Sequence, residues 1–327
     1  MNGPAPDRST PLPDPDVMPD AMVVPMDSGE RIHYLDWGAP PGPTARLPLV
    51  LIHGILQNAW AWAPVARRLA ASTRVLCVDL RGHGLSAAPR SGYDLSSLAY
   101  DVLTVVTASG WGADAAGRPV VLAGHGLGAM VAATAGALAP ATVAGVALLD
   151  GGWETLADAT RMSPAEVLAS LAEPPEVLAS MDTFLADRRG YDPGTWDDDQ
   201  ERAARAAVDE KHAGHVAPIT RAAPLRALVE GMDGYRPAEA MGNLRGPLLV
   251  MVAESGASDD DAVRERRLAL DEMERLRAAG GMAPARVVRF PGVGHNLMRY
   301  RAGEVAVELL ALLDAAADAA SAAASVS

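Results

Sequence analysis

Three observations predict an α/β fold built on an eight-stranded, mostly parallel sheet flanked by helices. From Ala21 onward, short runs rich in Val, Leu and Ile alternate with helical patterns, the order that βαβ units produce. The later runs are near-continuously apolar, as strands are when crossover helices bury both faces. The stretch 151–245 then interrupts the alternation with helical patterns and no convincing strand, so a helical insertion follows the sixth strand.

The expected strands are MVVPM, RIHYLDW, PLVLIHG, RVLCVDL, PVVLAGH, VAGVALLD, PLLVMVAE and ARVVRF. The first two lie close enough for a hairpin. Within the insertion, Ser163-Pro164-Ala165-Glu166 reads as a helix start: Ser163 can cap, Pro164 suits the first helical position, and Glu166 can reach back to the cap amide. A second helix is expected from about Asp197 to Lys211. The segment DDDAVRERRLALDEMERLRAAG places Val263, Leu270, Met273 and Leu276 near one face, as in a helix packed on a sheet. Residues 1–20 are Pro- and Asp-rich and residues 315–327 are Ala/Ser low complexity, so both ends are expected to be frayed. The domains are therefore a core over 21–150 and 246–314 and an insertion over 151–245.

Hydrophobic residues make up 49% of the 327 and charged residues 21%, a globular balance. A formal net charge of -13 disfavours phosphate backbones and anionic lipid, so neither nucleic acid nor membrane is an expected partner. Cys77 is the only cysteine and sits in an apolar run, which excludes an internal disulfide. The first twenty residues lack the basic start and apolar stretch of a signal peptide, and no apolar run reaches the ~20 residues of a membrane span. A cytoplasmic protein is expected, with a small molecule as its partner. Oligomeric state is not fixed.

Chemistry concentrates in four segments. His53-Gly54 ends the third strand, followed by the amide of Ile55. Gly124-His125-Gly126-Leu127-Gly128 joins the fifth strand to a helix, and glycine suits a turn that strains other residues. Gly126 carries no hydroxyl, thiol or carboxylate, so no covalent intermediate can form there. Gly292-Val293-Gly294-His295-Asn296 follows the last strand and presents an imidazole suited to general acid or base work. Asp79-Leu80-Arg81-Gly82-His83-Gly84-Leu85-Ser86 reads as a shaped turn without a catalytic role.

In order, spacing and flanking strands, LVLIHGILQNAWAW, VLCVDLRGHGLS, VVLAGHGLGAMVAA and VVRFPGVGHNLM resemble the α/β-hydrolase family, over nearly everything from Ala21 to about Leu313. The resemblance implies the α/β-hydrolase fold with the insertion as a lid, of an esterase- or lactonase-like branch, working without a cofactor. It implies an oxyanion hole formed by the Ile55 and Leu127 amides, of which one lost donor costs ~3 kcal/mol. It makes His295 the catalytic histidine and Gly126 the nucleophile position, where the family pattern G-x-S-x-G has its side chain. The family places an acid just after the seventh strand, where this chain has Gly256; Asp259 to Asp261 follow at a helix start, where the dipole alone favours them. Glu254 and Asp150 are the rival orienters of His295.

His53, His125, Trp60, Trp153 and Met298 are candidates to contact substrate, and Trp62, Trp196 and Tyr235 could join them in a largely apolar cleft, although each aromatic and Met298 taken singly fits plain packing better than ligand contact. His212 and His215, with Glu210 nearby, lack a full ligand set and fit a solvated face better than a metal. No dinucleotide fingerprint or P-loop is present, so no cofactor is expected. Three functions stay open. One is hydrolysis of a small apolar ester or lactone by water that His295 activates. Another is lyase or cyclase chemistry with His295 as proton shuttle. The last is noncatalytic ligand binding, which glycine at both 126 and 256 would favour.

Overall fold

The computed structural model describes residues 17–40, 46–112, 118–211, 214–254 and 260–324, so the expectations for residues 1–16, His212, Gly256 and Asp259 lie outside the described residues. Each apolar run forms its strand to within two residues. They are β1 (Asp20–Pro25), β2 (Arg31–Asp36), β3 (Leu49–Ile52), β4 (Val75–Val78), β5 (Val120–His125) and β6 (Val143–Leu149), and, beyond two short strands of the insertion, β9 (Leu248–Glu254) and β10 (Arg286–Pro291). They build one eight-stranded sheet in the order β1-β2-β4-β3-β5-β6-β9-β10. β2 pairs antiparallel with both β1 and β4, and every other neighbouring pair is parallel.

Helices α1 (Ala63–Leu69), α2 (Leu95–Ala108) and α3 (Leu127–Leu138) precede the insertion, and α10 (Asp260–Ala279), α11 (Leu297–Tyr300) and α12 (Ala302–Ala324) follow it. Side chains alternate across the sheet between two cores. Leu49, Leu51, Val75 and Cys77 meet α1 and α12, whereas Val50, Ile52, Leu76 and Val78 meet α2 and α3. All eight are fully buried, at about 1.5–3 kcal/mol for each large aliphatic side chain, and the burial that pushes the Cys77 thiol pKa up also makes it inert.

From β3 the chain crosses to β4 on one side, and it later places β5 on the other. The β3/β5 boundary is therefore a topological switch point, where diverging connections leave a crevice at the carboxyl ends of the strands. Residues 53–58 and 126–128 emerge at that crevice.

The insertion holds α4 (Leu156–Thr160), α5 (Pro164–Ser170), α6 (Met181–Tyr191), α7 (Asp198–Arg205), α8 (Ala222–Asp233) and α9 (Pro237–Met241). The expected capping box opens α5, with Ser163 and Glu166 each bonding the other's backbone amide. Two expectations are corrected. The helix expected to reach Lys211 stops at Arg205, because β7 (Val208–Glu210) pairs antiparallel with β8 (Val216–Pro218). Val208 and Val216 bury against Phe184 and Leu185 in a small satellite core, a contact that local sequence does not reveal. The C-terminal tail expected to fray instead continues α12 to Ala324. Alanine is the best helix former, and Ala316 is fully buried against Gly145.

Polar contacts tie the insertion to the core, among them an ion pair and two hydrogen bonds near the crevice. Arg67 on α1 holds Asp199 on α7 in a two-pronged ion pair, 2.5 and 2.9 Å, with both side chains 9% exposed. Asn58 Nδ2 donates to Ala203 O at 2.8 Å, and Thr220 Oγ1 donates to Gly82 O at 2.8 Å. None of the described helices is long and apolar enough to cross a membrane. Asp199→Asn leaves the Arg67 guanidinium without its buried counter-charge and is expected to destabilise the protein by about 3 kcal/mol, read as a lower midpoint in urea unfolding.

Candidate active site

β5 ends at His125 and α3 begins at Leu127, so the turn between them is a single residue. Gly126 takes φ 54° and ψ −114°, a conformation that strains a residue with a side chain. Its neighbours are crowded: a Cβ on Gly124 would lie 1.9 Å from Gly128 O, and one on Gly128 would lie 2.2 Å from Ile52 O. Strand, helix and β3 thus meet at a separation only glycine permits. A Cβ on Gly126 would first meet an imidazole, 3.3 Å from His295 Nε2.

His295 lies between β10 and α11, with Nδ1 2.7 Å from Asp150 Oδ2. Asp150 directly follows β6 with φ 46°, one of three non-glycine residues at positive φ among the described residues. Its N–H donates to Met251 O at 2.8 Å, while Oδ1 accepts from Ala253 N at 2.9 Å and from Arg266 Nη2 at 2.8 Å. Burial opposes ionisation of Asp150, but the His295 hydrogen bond and the Arg266 charge outweigh it and hold the carboxyl below the usual carboxylate range. An ionised Asp150 accepts from Nδ1–H, which leaves Nε2 as the basic nitrogen facing Gly126. Glu254, the rival orienter, is not at the histidine. Its carboxylate pairs with Arg289 Nη1 at 2.8 Å, because the edge strand β10 brings that cation alongside it.

Among the described residues, the amides of Ile55 and Leu127 have no acceptor within the protein. The loop carrying Ile55 is pinned from below: Leu56 N donates to His83 Nε2 at 3.1 Å and Ala59 N donates to Asp79 Oδ1 at 2.6 Å. Asp79 and His83 therefore do more than shape their own turn. Burial pushes the His83 pKa down to about 3, so the ring stays neutral and Nε2 remains an acceptor.

His125 packs its ring 4.2 Å from that of His295, centroid to centroid, with Nε2 3.0 Å from His295 O and Nδ1 3.1 Å from Gln57 Oε1. Burial, with the adjacent His295, pushes its pKa down to about 3, so a neutral His125 sits between the two loops with one N–H, which it can donate to only one of these two oxygens. Gln57 bridges the loops, accepting from Gly54 N at 2.9 Å and donating to Asn296 Oδ1 at 2.8 Å. Sequence reading gave neither Gln57 nor Asn296 a role; their only signal is adjacency to two motifs.

Several of the candidate substrate contacts sit in packing or hydrogen-bonded positions away from the cavities beside His295. His53 is fully buried, with Nδ1 donating to Gly54 O at 2.7 Å and Nε2 accepting from Leu80 N at 3.0 Å, so neither nitrogen is left for a ligand. Trp60 and Trp37 form a T-shaped pair with ring centroids 6.2 Å apart, and Trp153 lies buried beneath Arg266, 5.1 Å from ring to guanidinium. Trp62 is fully buried in the core, and the Tyr235 hydroxyl donates to Gly152 O at 2.7 Å. Met298 and Trp196 do line a cavity of about 480 Å³ between the Ile55 loop, the insertion and α11. A second cavity of about 430 Å³ shares Leu56, Leu171 and Phe184 with the first and is walled by Leu168 and Leu225. The cleft is less apolar than expected. In the first chamber Arg188 pairs with Glu173, and Arg299 donates to Thr195 Oγ1 at 2.6 Å and to Asp192 O at 3.0 Å.

Behind Asp150, Glu154 is buried with Oε1 3.1 Å from Arg266 Nη2, and burial pushes its carboxyl pKa up to about 7. A carboxyl whose folded pKa exceeds its unfolded one stabilises the fold at low pH and loses that contribution as pH rises from about 4.5 through about 7. Glu154→Gln lacks this slope. Its stability relative to the wild type is therefore expected to rise by about 2–3 kcal/mol between pH 5 and pH 8, measured by denaturant unfolding.

The sequence profile of the alpha/beta hydrolase family matches residues 49–309. Over 104 residues the chain is 36% identical to 2-(acetamidomethylene)succinate hydrolase of Mesorhizobium japonicum, covering 32% of this chain and 35% of that one. Over 107 residues it is 36% identical to a soluble epoxide hydrolase of a Corynebacterium species, covering 33% of each. The matched segment thus spans about a third of the length of these relatives. Among solved structures, E-2-(acetamidomethylene)succinate hydrolase superposes with a TM-score of 0.69 at 22% identity, covering 91% of this chain and all of the other, a likeness of fold.

Proposed function

The chain belongs to the α/β-hydrolase family, and from that we propose that it hydrolyses a small ester or lactone with His295 as general base, without a covalent enzyme intermediate. The observation that carries this reading is the 3.3 Å between His295 Nε2 and the position of a Cβ on Gly126. The basic nitrogen overlooks the place where a serine side chain would stand, and Asp150 fixes the tautomer behind it. A water held there gives its proton to Nε2 as its oxygen attacks the carbonyl carbon. The negative charge forming on the carbonyl oxygen is met by the Ile55 and Leu127 amides. Collapse of the adduct breaks the bond to the leaving group, which takes the proton back from His295, while Asp150 stabilises the transient imidazolium.

In this reading the insertion acts as a lid over two chambers: one mixed and beside the reacting carbonyl, the other apolar. The name of the Mesorhizobium relative adds a second bond type to the test, an N-acyl enamide bearing carboxylates, for which Arg299, held by a hydroxyl and a backbone carbonyl, supplies positive charge in the first chamber. Without a covalent nucleophile, turnover is expected to be slow. Loss of the nucleophile in a serine enzyme forfeits about 10⁶ in kcat and leaves about 10³ over water.

The deciding experiment is turnover of activated short- and medium-chain esters, lactones and an N-acyl enamide by the wild type, His295→Ala and Gly126→Ser. Slow wild-type turnover that falls at least ~100-fold in His295→Ala is the expected result. Gly126→Ser is expected to fold at a cost of about 1–3 kcal/mol and to gain covalent labelling by a fluorophosphonate, read by mass spectrometry. Labelling of that variant beside a wild type that turns over nothing would overturn hydrolysis and leave ligand binding.

A further inference from the structure

Asp150 has two ionic partners, and the histidine is only one of them. Arg266 on α10 sets Nη2 2.8 Å from Asp150 Oδ1 and, with the same nitrogen, 3.1 Å from Glu154 Oε1; its Nε lies 3.2 Å from that oxygen. Asp150 and Glu154 are 6% and 1% exposed at their side chains, against 24% for Arg266. Glu154 Oε2 is buried and has no hydrogen-bond partner among the described residues. One guanidinium is therefore shared by two buried carboxylates, and the carboxylate nearer the sheet edge holds His295.

We propose that Arg266 is a positioning residue for the Asp150–His295 pair and that Glu154, by sharing its guanidinium, governs how strongly Asp150 supports a proton on His295. With Glu154 ionised, the Arg266 charge is compensated and Asp150 acts on the imidazole with nearly its whole charge. With Glu154 neutral, Arg266 draws on Asp150 alone and a protonated His295 is less well supported. Burial brings the Glu154 proton into play near pH 7, where a small change in surroundings decides its charge. The other groups are fixed in place. His295 faces Asp150 and the neutral His125, and Glu154 faces Arg266, Asp150 and Asp158. Glu265 and Glu272 of α10 line the same cavity of about 410 Å³ as Glu154 and are paired with Arg161 and Arg275. That cavity is walled by Trp153, Pro237 and Met273, so Glu154 acts from behind the reacting face.

The consequence for rate rests on the reading of His295 as base, whereas the titration of its ring does not. The experiment is a pH titration of the His295 ring resonances by NMR in the wild type, Glu154→Gln, Arg266→Gln and the double variant. In Glu154→Gln the His295 midpoint is expected to fall by about half a pH unit or more. In the Arg266→Gln background, where no cation joins the two carboxylates, the same substitution at Glu154 is expected to move it by less than half as much. An unmoved midpoint in Glu154→Gln, or an equal shift in the two backgrounds, would overturn the proposal. The expected shifts in a protein that turns over no ester would sustain this coupling and sink the hydrolase reading alone.

Discussion

The site depends on how closely three backbone segments meet where β5 turns into α3. Gly124, Gly128 and the end of β3 approach to distances at which a single methyl group would collide with a carbonyl oxygen. That contact fixes the angle of α3 and so aims the Leu127 amide. It also lifts residue 126 clear of the sheet edge, beneath the imidazole of the last loop. The switch point between β3 and β5 supplies the crevice, and the glycines bring its walls together.

Around this crowded turn, polar groups join loops that the sheet alone would leave independent. Gln57 links the Ile55 loop to the His295 loop through hydrogen bonds with Gly54 and Asn296, and the neutral His125 packs between them, 3.0 Å from His295 O and 3.1 Å from Gln57 Oε1. Asp79 and His83 hold the Ile55 loop from the other side. These bonds hold the Ile55 loop and the His295 loop in place, so that under the proposed reading the Ile55 amide and the imidazole are set before any charge develops. Strain sits in the same region: Leu56 and Asp150, both at positive φ, flank the site on opposite sides.

In the proposed reading, glycine at position 126 changes what the surrounding groups can do without disturbing how they are held. Gly126 relieves strain at the turn, so the geometry persists, and the Asp150–His295 pair still points its free nitrogen over residue 126. The second carboxylate behind that pair makes His295 part of a larger charged cluster, in which Arg266 is held at once by Asp150 and by Glu154.

Much of the fold was legible in the chain because it rests on local signals. Apolar runs gave the eight strands of the main sheet, a Ser-Pro-Ala-Glu start gave α5, and the glycine spacing marked the elbow. Three things required the tertiary structure. Asp150 and His295 lie 145 residues apart, and only the order of β6, β9 and β10 in the sheet brings them together while Arg289 takes Glu254 away. The ring of Trp153 turns to Arg266 whereas Met298 lines the cavity, a choice set by layers on either side of a strand end and not by the strand end itself. The β7/β8 pair and the long α12 depend on burial of Val208, Val216 and Ala316. Local periodicity determines which segments form elements, whereas the partner of a side chain is decided by contacts between elements, and these carry no signature in the neighbouring sequence.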